Sequence, residues 1–452
     1  MDRALNKEIL RLALPSILAN ITVPLVGMVD TGVAGHLTAS GGIGAASFIG
    51  AISIGALLFN IIYWNFSFLR SGTGGVTAQA FGRGDMRECA KIYLRSMTLS
   101  LLIAAVTIAL QWPFLKLSLL LVHASPEVES LAAQYFLVRI WAAPATLSLM
   151  AFSGWFVGMQ DSVSSMWKDL IVNGMNVVAS IILSFGAFGW EGMGFKGVAL
   201  GTVVAQYCGL LFCILVSVFK YGKVLSAFRL SEIREAFHWS EMKGLIGMNF
   251  NLFLRSVCFI FIYIGYTMIA ARLGDMLLAC SSIMMQLLMI FSYFTDGFAY
   301  AGEALTGRFI GEGNAPMLRS SVKYIFVWSL SIASAFIFIY AATGVPMLRV
   351  LTDDEGVVAA CRPFLPWLLA MPVLGCVAFT WDGIFLGAIA TRQILASMAG
   401  SVVAFLGVWW LGSALFDVGG NFGMHLLLAA YFAHLVYRSA YMSMKYKSTI
   451  HI

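Results

Sequence analysis

The sequence predicts an all-α polytopic membrane protein, with twelve transmembrane helices arranged as two pseudo-symmetric six-helix bundles. Three observations lead there. Of 452 residues, 60% are hydrophobic and only 11% charged, with a mean hydropathy of +0.87, whereas a soluble globular chain carries about 25% charged residues. Apolar runs long enough to cross a hydrocarbon core, about 20 residues each, recur along the whole chain. The two halves of the sequence also repeat one another.

The first run, 10–37, contains Pro15, Pro24, Gly27, Gly32 and Gly35 around a single acid, Asp30. This pattern predicts a helix able to bend beside a titratable group, with Pro24 as the hinge. The segment before it is polar, with Arg3, Lys7 and Arg11. The apolar run that follows is far longer than a signal-peptide core, so the first helix is expected to be retained. Hydropathy places the next spans at 43–70, 92–115, 131–158, 165–187 and 196–220, and the last six at 243–271, 277–308, 322–350, 358–387, 393–416 and 423–444. The longest polar interruption, with Lys223, Arg229, Glu232, Arg234 and Glu235, separates them. The expected division is an N-terminal lobe at 1–220, a linker at 221–242 and a C-terminal lobe at 243–452.

The repeat has a nearly constant offset. Thr77 with Gly82-Arg83-Gly84-Asp85 aligns 229 residues away with Thr306 and Gly311-Glu312-Gly313-Asn314, and Gly154…Gly158 aligns at the same offset with Gly383…Gly387. Pro144 and Pro372 pair at 228. A six-plus-six repeat of parallel topology suits alternating access about an axis along the membrane normal.

A carboxylate inside a spanning helix is costly and is by default a functional-site candidate, which singles out Asp30. Asn173, Asn176 and Ser180 on the fifth span share one helical face. With Thr202 on the sixth, they offer donors to a charged carboxylate and acceptors to a protonated one. Interhelical hydrogen-bonding is the competing explanation for these side chains. The second half holds Arg255, Asp296, Glu303 and Asp382 within its spans, readable either as a second polar site or as a buried ion pair that holds the lobe together. Met284, Met285, Met289 and Tyr293 are candidates to line a substrate cavity, because thioethers and aromatic faces accommodate varied apolar cations.

The net charge of +6 does not form one basic patch, so no nucleic-acid partner is expected. The bases instead fall into alternate loops. With a cytoplasmic N-terminus, twenty lie inside, Arg95, Lys168 and Arg438 among them, and five outside (Lys116, Lys196, Arg272, Arg349, Arg362), which orients both termini to the cytoplasm. The seven cysteines lack CxxC spacing, and no phosphate-loop or HExxH motif occurs. A disulfide framework, an ATP-driven pump and a zinc hydrolase are therefore not indicated, and neither an enzyme nor a cofactor is expected.

Leu14-Pro15, Val29-Asp30-Thr31, Ala34-Gly35, the Asn-rich fifth span and Lys196-Gly-Val-Ala-Leu-Gly-Thr202 resemble the multidrug and toxic compound extrusion (MATE) transporters. Asn251-Leu-Phe-Leu-Arg255-Ser256, Asp296 to Ala304 and Trp381-Asp382 to Gly387 are similar to its DNA-damage-inducible protein F (DinF) branch. The resemblance implies an inner-membrane antiporter that expels organic cations or amphipathic compounds with Asp30 as the coupling carboxylate. A monomer surrounded by the lipid bilayer is expected. It also implies a sodium site in some members, of which Asn176 and Thr202 match here, while Ser180 stands where a second acid is expected. A hard cation prefers several charged or carbonyl oxygens, so the expected coupling ion is the proton, with sodium at Asp30, Asn176 and Thr202 as the alternative. A flippase for a lipid-linked precursor is the other reading.

Overall fold

The structure, a computed structural model, describes residues 3–37, 45–121, 125–187, 189–226, 237–352, 354–416 and 418–450. Arg229, Glu232, Arg234 and Glu235 of the expected linker lie outside the described residues.

The first span folds as α1 (Arg3–His36), which continues through both Pro15 and Pro24. Each proline lacks the amide that would close a helical hydrogen bond to the residue four before it. The second crossing consists of two helices, α2 (Ala45–Asn65) and α3 (Phe68–Gly82). At their junction Asn65 Nδ2 donates to the Ile61 carbonyl at 2.6 Å, the acceptor that helix propagation would use, and such local competition favours a break. Then follow α4 (Met86–Ala109), α5 (Gln111–Leu121), and α6 (Pro126–Arg139), which joins α7 (Ala143–Gly158) through a 3-10 turn. α8 (Ser162–Phe185) ends at Gly186, whose φ of +83° suits glycine. α9 (Phe195–Phe219) then returns against α8, and the short α10 (Gly222–Ser226) closes the first half.

The second half comprises α11 (Trp239–Arg272), α12 (Asp275–Gly311) and α13 (Ala315–Leu351). α14 (Glu355–Cys361) leads through a 3-10 turn into α15 (Leu365–Gly387), followed by α16 (Thr391–Leu415) and α17 (Gly420–Thr449). Among the described residues, eleven helical segments are long and apolar enough to cross a membrane. α17, the twelfth expected span, has the length but not the apolarity. Its His434 and Arg438 are buried, at 1% and 2% exposure, so polar groups that lower its hydropathy are turned into the protein. Several helices exceed their hydropathy windows. The Thr77–Gly82 stretch, expected after the second span, is still helical.

The repeat read from the sequence is present in the backbone. Gln160 and Ile389, at the 229-residue offset, have φ of +62° and +57°, and Gly84 and Gly313 have +72° and +69°. Asp85 and Asn314 cap the helices that follow, accepting from Glu88 N and Met317 N.

The chain divides into two compact units: Met1–Ile17 with Gly74–Gly84 and Lys243–Ile452, and Leu18–Thr73 with Asp85–Met242. The start of α1 and the second half of α3 thus group with the C-terminal half. Arg308 Nη1 donates to Glu8 Oε1 at 2.5 Å, Trp328 Nε1 to Asn6 Oδ1 at 2.9 Å, and Gln79 Nε2 to the Gly387 carbonyl at 2.9 Å. The core of this unit gathers Met284, Phe291, Phe336, Phe364, Phe405 and Tyr431. The core of the other is built on Phe48, Phe59, Tyr135, Phe136 and Phe195.

Within the first unit α12 and α15 pack closely. A Cβ at Gly383 would stand 2.0 Å from the Ala299 carbonyl oxygen. Gly383→Val should therefore cost about 1–3 kcal/mol or more through overpacking, read as a lower Tm in detergent. An unchanged Tm would mean that the two helices separate easily.

At the turn between α7 and α8, outside the spanning segments, Asp161 Oδ2 accepts from Lys220 Nζ and from Tyr221 Oη, both at 2.7 Å. Burial alone would raise the Asp161 carboxyl, but hydrogen bonds from Lys220, Ser164 and Tyr221 and the Lys220 charge outweigh it and hold it below its ordinary value. A depressed acid contributes its stability above the unfolded value, about 3.9 for Asp, and loses it as pH falls through the folded value. The Tm difference between the parent and Asp161→Asn should be full at neutral pH and vanish at strongly acid pH. A difference independent of pH would refute the charged contact.

Candidate functional site

One face of α8 builds the N-terminal site. Ser180, fully buried, donates to Asp30 Oδ1 at 3.3 Å. One turn earlier, Asn176 Nδ2 donates to Thr202 Oγ1 on α9 at 3.0 Å. Asp30, Asn176 and Thr202 are buried as well. The close approach of α8 and α9 makes this possible. A Cβ at Gly201 would lie 2.5 Å from Ser180 Oγ and 2.6 Å from Ser180 N, so only glycine lets α9 pass flush against the residue that meets Asp30. The Asn176 carbonyl oxygen, Oδ1, is buried without a hydrogen-bond partner among the described residues.

Asn173 lies on the same face but serves another contact. Its Nδ2 donates to Thr22 Oγ1 at 2.5 Å, eight residues before Asp30 and so about 12 Å away along α1. The α8 face therefore fastens α1 at two levels and α9 between them. Pro24 falls between the two α1 contacts and is exposed.

Two neighbours of this site escaped sequence reasoning. Tyr135 and Arg139 on α6 point into the same unit, with Arg139 Nη1 donating to Tyr135 Oη at 2.7 Å. A lone arginine in an apolar turn carries no periodic signal. The one cue available was that Arg139 is the single charged residue in the apolar span 131–158.

In the C-terminal half, the expected cluster resolves into an ion pair around Asp382. Arg255 Nη2 donates to Asp382 Oδ2 at 3.0 Å, and Arg438 Nη2 donates to the same oxygen. Arg438, counted from the sequence among the inside bases, is turned into the protein. Its side chain is 2% exposed, because α17 packs on α15 and presents it to the carboxylate. Arg95 and Lys168, counted in the same way, are also buried, with Arg95 paired to Glu88 at 2.8 Å and Lys168 to Asp169 at 2.7 Å. Glu303 is fully buried on α12 and Asp296 half-buried two turns earlier. Among the described residues the ion pair of Arg255 is made with Asp382.

Of the candidate cavity-lining residues, Met284 and Met285 are buried in the packed core instead, and Met289, half-buried, packs against it. Tyr293 is half-buried.

Many apolar crossings, a two-fold repeat, and buried carboxylates on the crossing helices define a multi-pass membrane transporter. Residues 15–185 and 252–410 match the family profile MatE, and the chain belongs to the MATE family, whose members are transporters and not enzymes. DNA damage-inducible protein F of Escherichia coli (strain K12) is 30% identical over 90% of this chain and 87% of its own length. A probable multidrug resistance protein NorM of Thermotoga maritima is 24% identical over 90% and 83%. The crystal structure of a MATE protein in the bent conformation superposes with a TM-score of 0.85 at 18% identity, covering 98% of this chain and 96% of that one.

Removing one member of a buried ion pair leaves the other uncompensated, at about 3–5 kcal/mol. Asp382→Asn should lower stability on that scale. A double-mutant cycle with Arg438→Met should recover more of the loss than one with Arg255→Met, because Arg438 is the more deeply buried. Additive effects on unfolding in both cycles would contradict the shared-carboxylate geometry.

Proposed function

We propose that this protein is a proton-coupled antiporter that exports organic cationic or amphipathic compounds by alternating access, with Asp30 as the coupling carboxylate. The observation that carries the reading is Asp30 itself. It is a buried acid in a spanning helix whose only direct hydrogen bond, among the described residues, is the 3.3 Å contact from Ser180. An acid so lightly held can change protonation without dismantling its surroundings. A proton entering from outside removes the Asp30 charge, the Ser180 contact weakens, and α1 is free to bend at Pro24, where the helical hydrogen bond is already missing. The repacking expels substrate, and the proton leaves to the cytoplasm before the next cycle.

The drug-export reading is supported by the multidrug resistance name of the Thermotoga relative. An inner-membrane location with cytoplasmic termini is supported by the basic residues. Removing Arg95, Lys168 and Arg438 from the twenty inside leaves seventeen against five. Sodium coupling is favoured by one observation, the buried and unpartnered Oδ1 of Asn176, an oxygen well suited to a hard cation. We propose a monomer, without a nucleic-acid partner.

Asp30→Asn keeps the shape and hydrogen bonding of the carboxylate but cannot titrate. In proteoliposomes with separately imposed proton and sodium gradients, the parent should transport on the proton gradient alone, and the variant should fold but lose coupled efflux, by at least about 100-fold if this step is obligatory. Near-normal proton-driven efflux by Asp30→Asn would sink the assignment.

A further inference from the structure

Arg139 is a base with no direct acid partner among the described residues, set into the bundle that holds Asp30. Its guanidinium carbon lies 4.8 Å from the centre of the Phe59 ring and 5.5 Å from that of Tyr135, and Tyr135 Oη accepts from Nη1 at 2.7 Å. Both rings are buried at 1% exposure. A Cβ at Gly55 would stand 2.4 Å from the Tyr135 ring, so α2 is pressed against the residue that holds the guanidinium. Arg139 is thus fixed by packing, cation–π contact and a hydrogen bond, and is not a mobile surface charge. Val33 and Ala34, three and four residues beyond Asp30 and so on its face of α1, share a buried core with Phe59 and Tyr135, and the Tyr135 ring lies 6.1 Å from that of Phe195 on α9. The face of α1 that carries Asp30 is therefore turned to the rings that hold the guanidinium. The polar groups around this core are Tyr63 from α2, Tyr135 and Arg139 from α6, Asn176 and Ser180 from α8, and Thr202 from α9.

The oxygens for a small hard cation are present at Asp30, Asn176, Ser180 and Thr202. Uncompensated negative charge is not. An ionised carboxylate removed from water needs a positive partner, and in a low-dielectric pocket a fixed guanidinium acts over several ångströms. A second positive ion would then face one carboxylate already balanced.

We propose that Arg139 is the resident counter-cation of Asp30, supplying from within the protein the positive charge that a bound sodium ion would otherwise bring. The ionised, empty site is then charge-balanced, and the site exchanges protons without recruiting sodium. This inference rests on the reading of Asp30 as the coupling acid, and it makes Arg139 a positioning residue that selects the coupling ion.

The test uses the full chain, purified in detergent, with thermal unfolding followed in sodium chloride against choline chloride at equal ionic strength. The parent should show no sodium-specific shift. Arg139→Gln should gain one, a rise of about 2 °C or more at about 100 mM sodium, as a newly bound ligand stabilises the folded state. The rise should vanish in the Arg139→Gln/Asp30→Asn double variant, and Arg139→Lys, which keeps the charge, should behave like the parent. A folded Arg139→Gln without the gain overturns the proposal, as does an Asp30-dependent sodium shift in the parent. Should Arg139→Gln fail to fold, Tyr135→Phe keeps the ring against Gly55 and Phe195 while removing the hydroxyl that holds the guanidinium in place. It should gain a smaller sodium shift, and none overturns the proposal. Proton-driven efflux of Asp30→Asn, measured alongside, separates the two readings. If it persists, the coupling role of Asp30 falls and this inference with it. If it is lost while Arg139→Gln gains nothing, the counter-cation role alone falls.

Discussion

An ionised carboxylate inside hydrocarbon must be compensated, and much of this structure follows from where the compensation comes from. The two halves meet the constraint differently. Asp382 is held by two guanidiniums, from Arg255 on α11 and Arg438 on α17. Asp30 has one long contact, from a serine hydroxyl, as its direct hydrogen bond among the described residues. The first arrangement joins three helices and loses its bonds if its charge is removed. The second leaves little that must break if the charge of the acid changes.

The packing that positions Asp30 is made by small residues. Gly201 brings α9 onto the Ser180 backbone and Gly55 brings α2 onto the Tyr135 ring. The polar groups on the inner faces are therefore set by backbone contact, where shifts of an ångström are expensive. α1 is the exception. It is tied to α8 by Asn173–Thr22 and Ser180–Asp30, and between these ties lie exposed residues and a proline that weakens the helix. A helix anchored at two levels and weak between them can change shape there while its ends stay packed.

Much of this was legible in the sequence because it is written in composition and spacing. The spans follow from hydropathy, and the repeat from glycines whose backbone role the φ angles of Gly84 and Gly313 explain. Asp30 stood out as the one acid in its span. What hydropathy cannot report is which way a polar side chain faces. Arg438 near the end of α17 reads as one more base of an inside loop until its Asp382 partner on α15 is seen beside it. Met284 reads as cavity lining until its face of α12 is found in the core. Arg139 was passed over for the same reason, since its meaning depends on Phe59 and Tyr135, one of them eighty residues away in sequence. Asn173 shows the complementary limit. Helical periodicity correctly placed it on the face of Asn176 and Ser180, but a face is longer than a site.

The repeat gives the asymmetry its meaning. The turn after α7 and the turn after α15 share their backbone, down to the unusual φ of Gln160 and Ile389. Yet the first carries Asp161 bound by Lys220 and Tyr221, and the second carries Ala390 at the same offset. Side-chain chemistry has diverged while the backbone frame has been kept. The charges follow the same course: the C-terminal half has its acid at Asp382 locked to bases on two other helices, and the N-terminal half keeps an acid lightly bound. Were Asp30 locked as Asp382 is, its charge could not change without breaking the ion pairs that hold its helices, and on the proposed reading it could not couple an ion to a change of shape. Were Asp382 held as Asp30 is, the bonds that join α11, α15 and α17 would be lost. Halves of common backbone thus give two different answers to one electrostatic constraint.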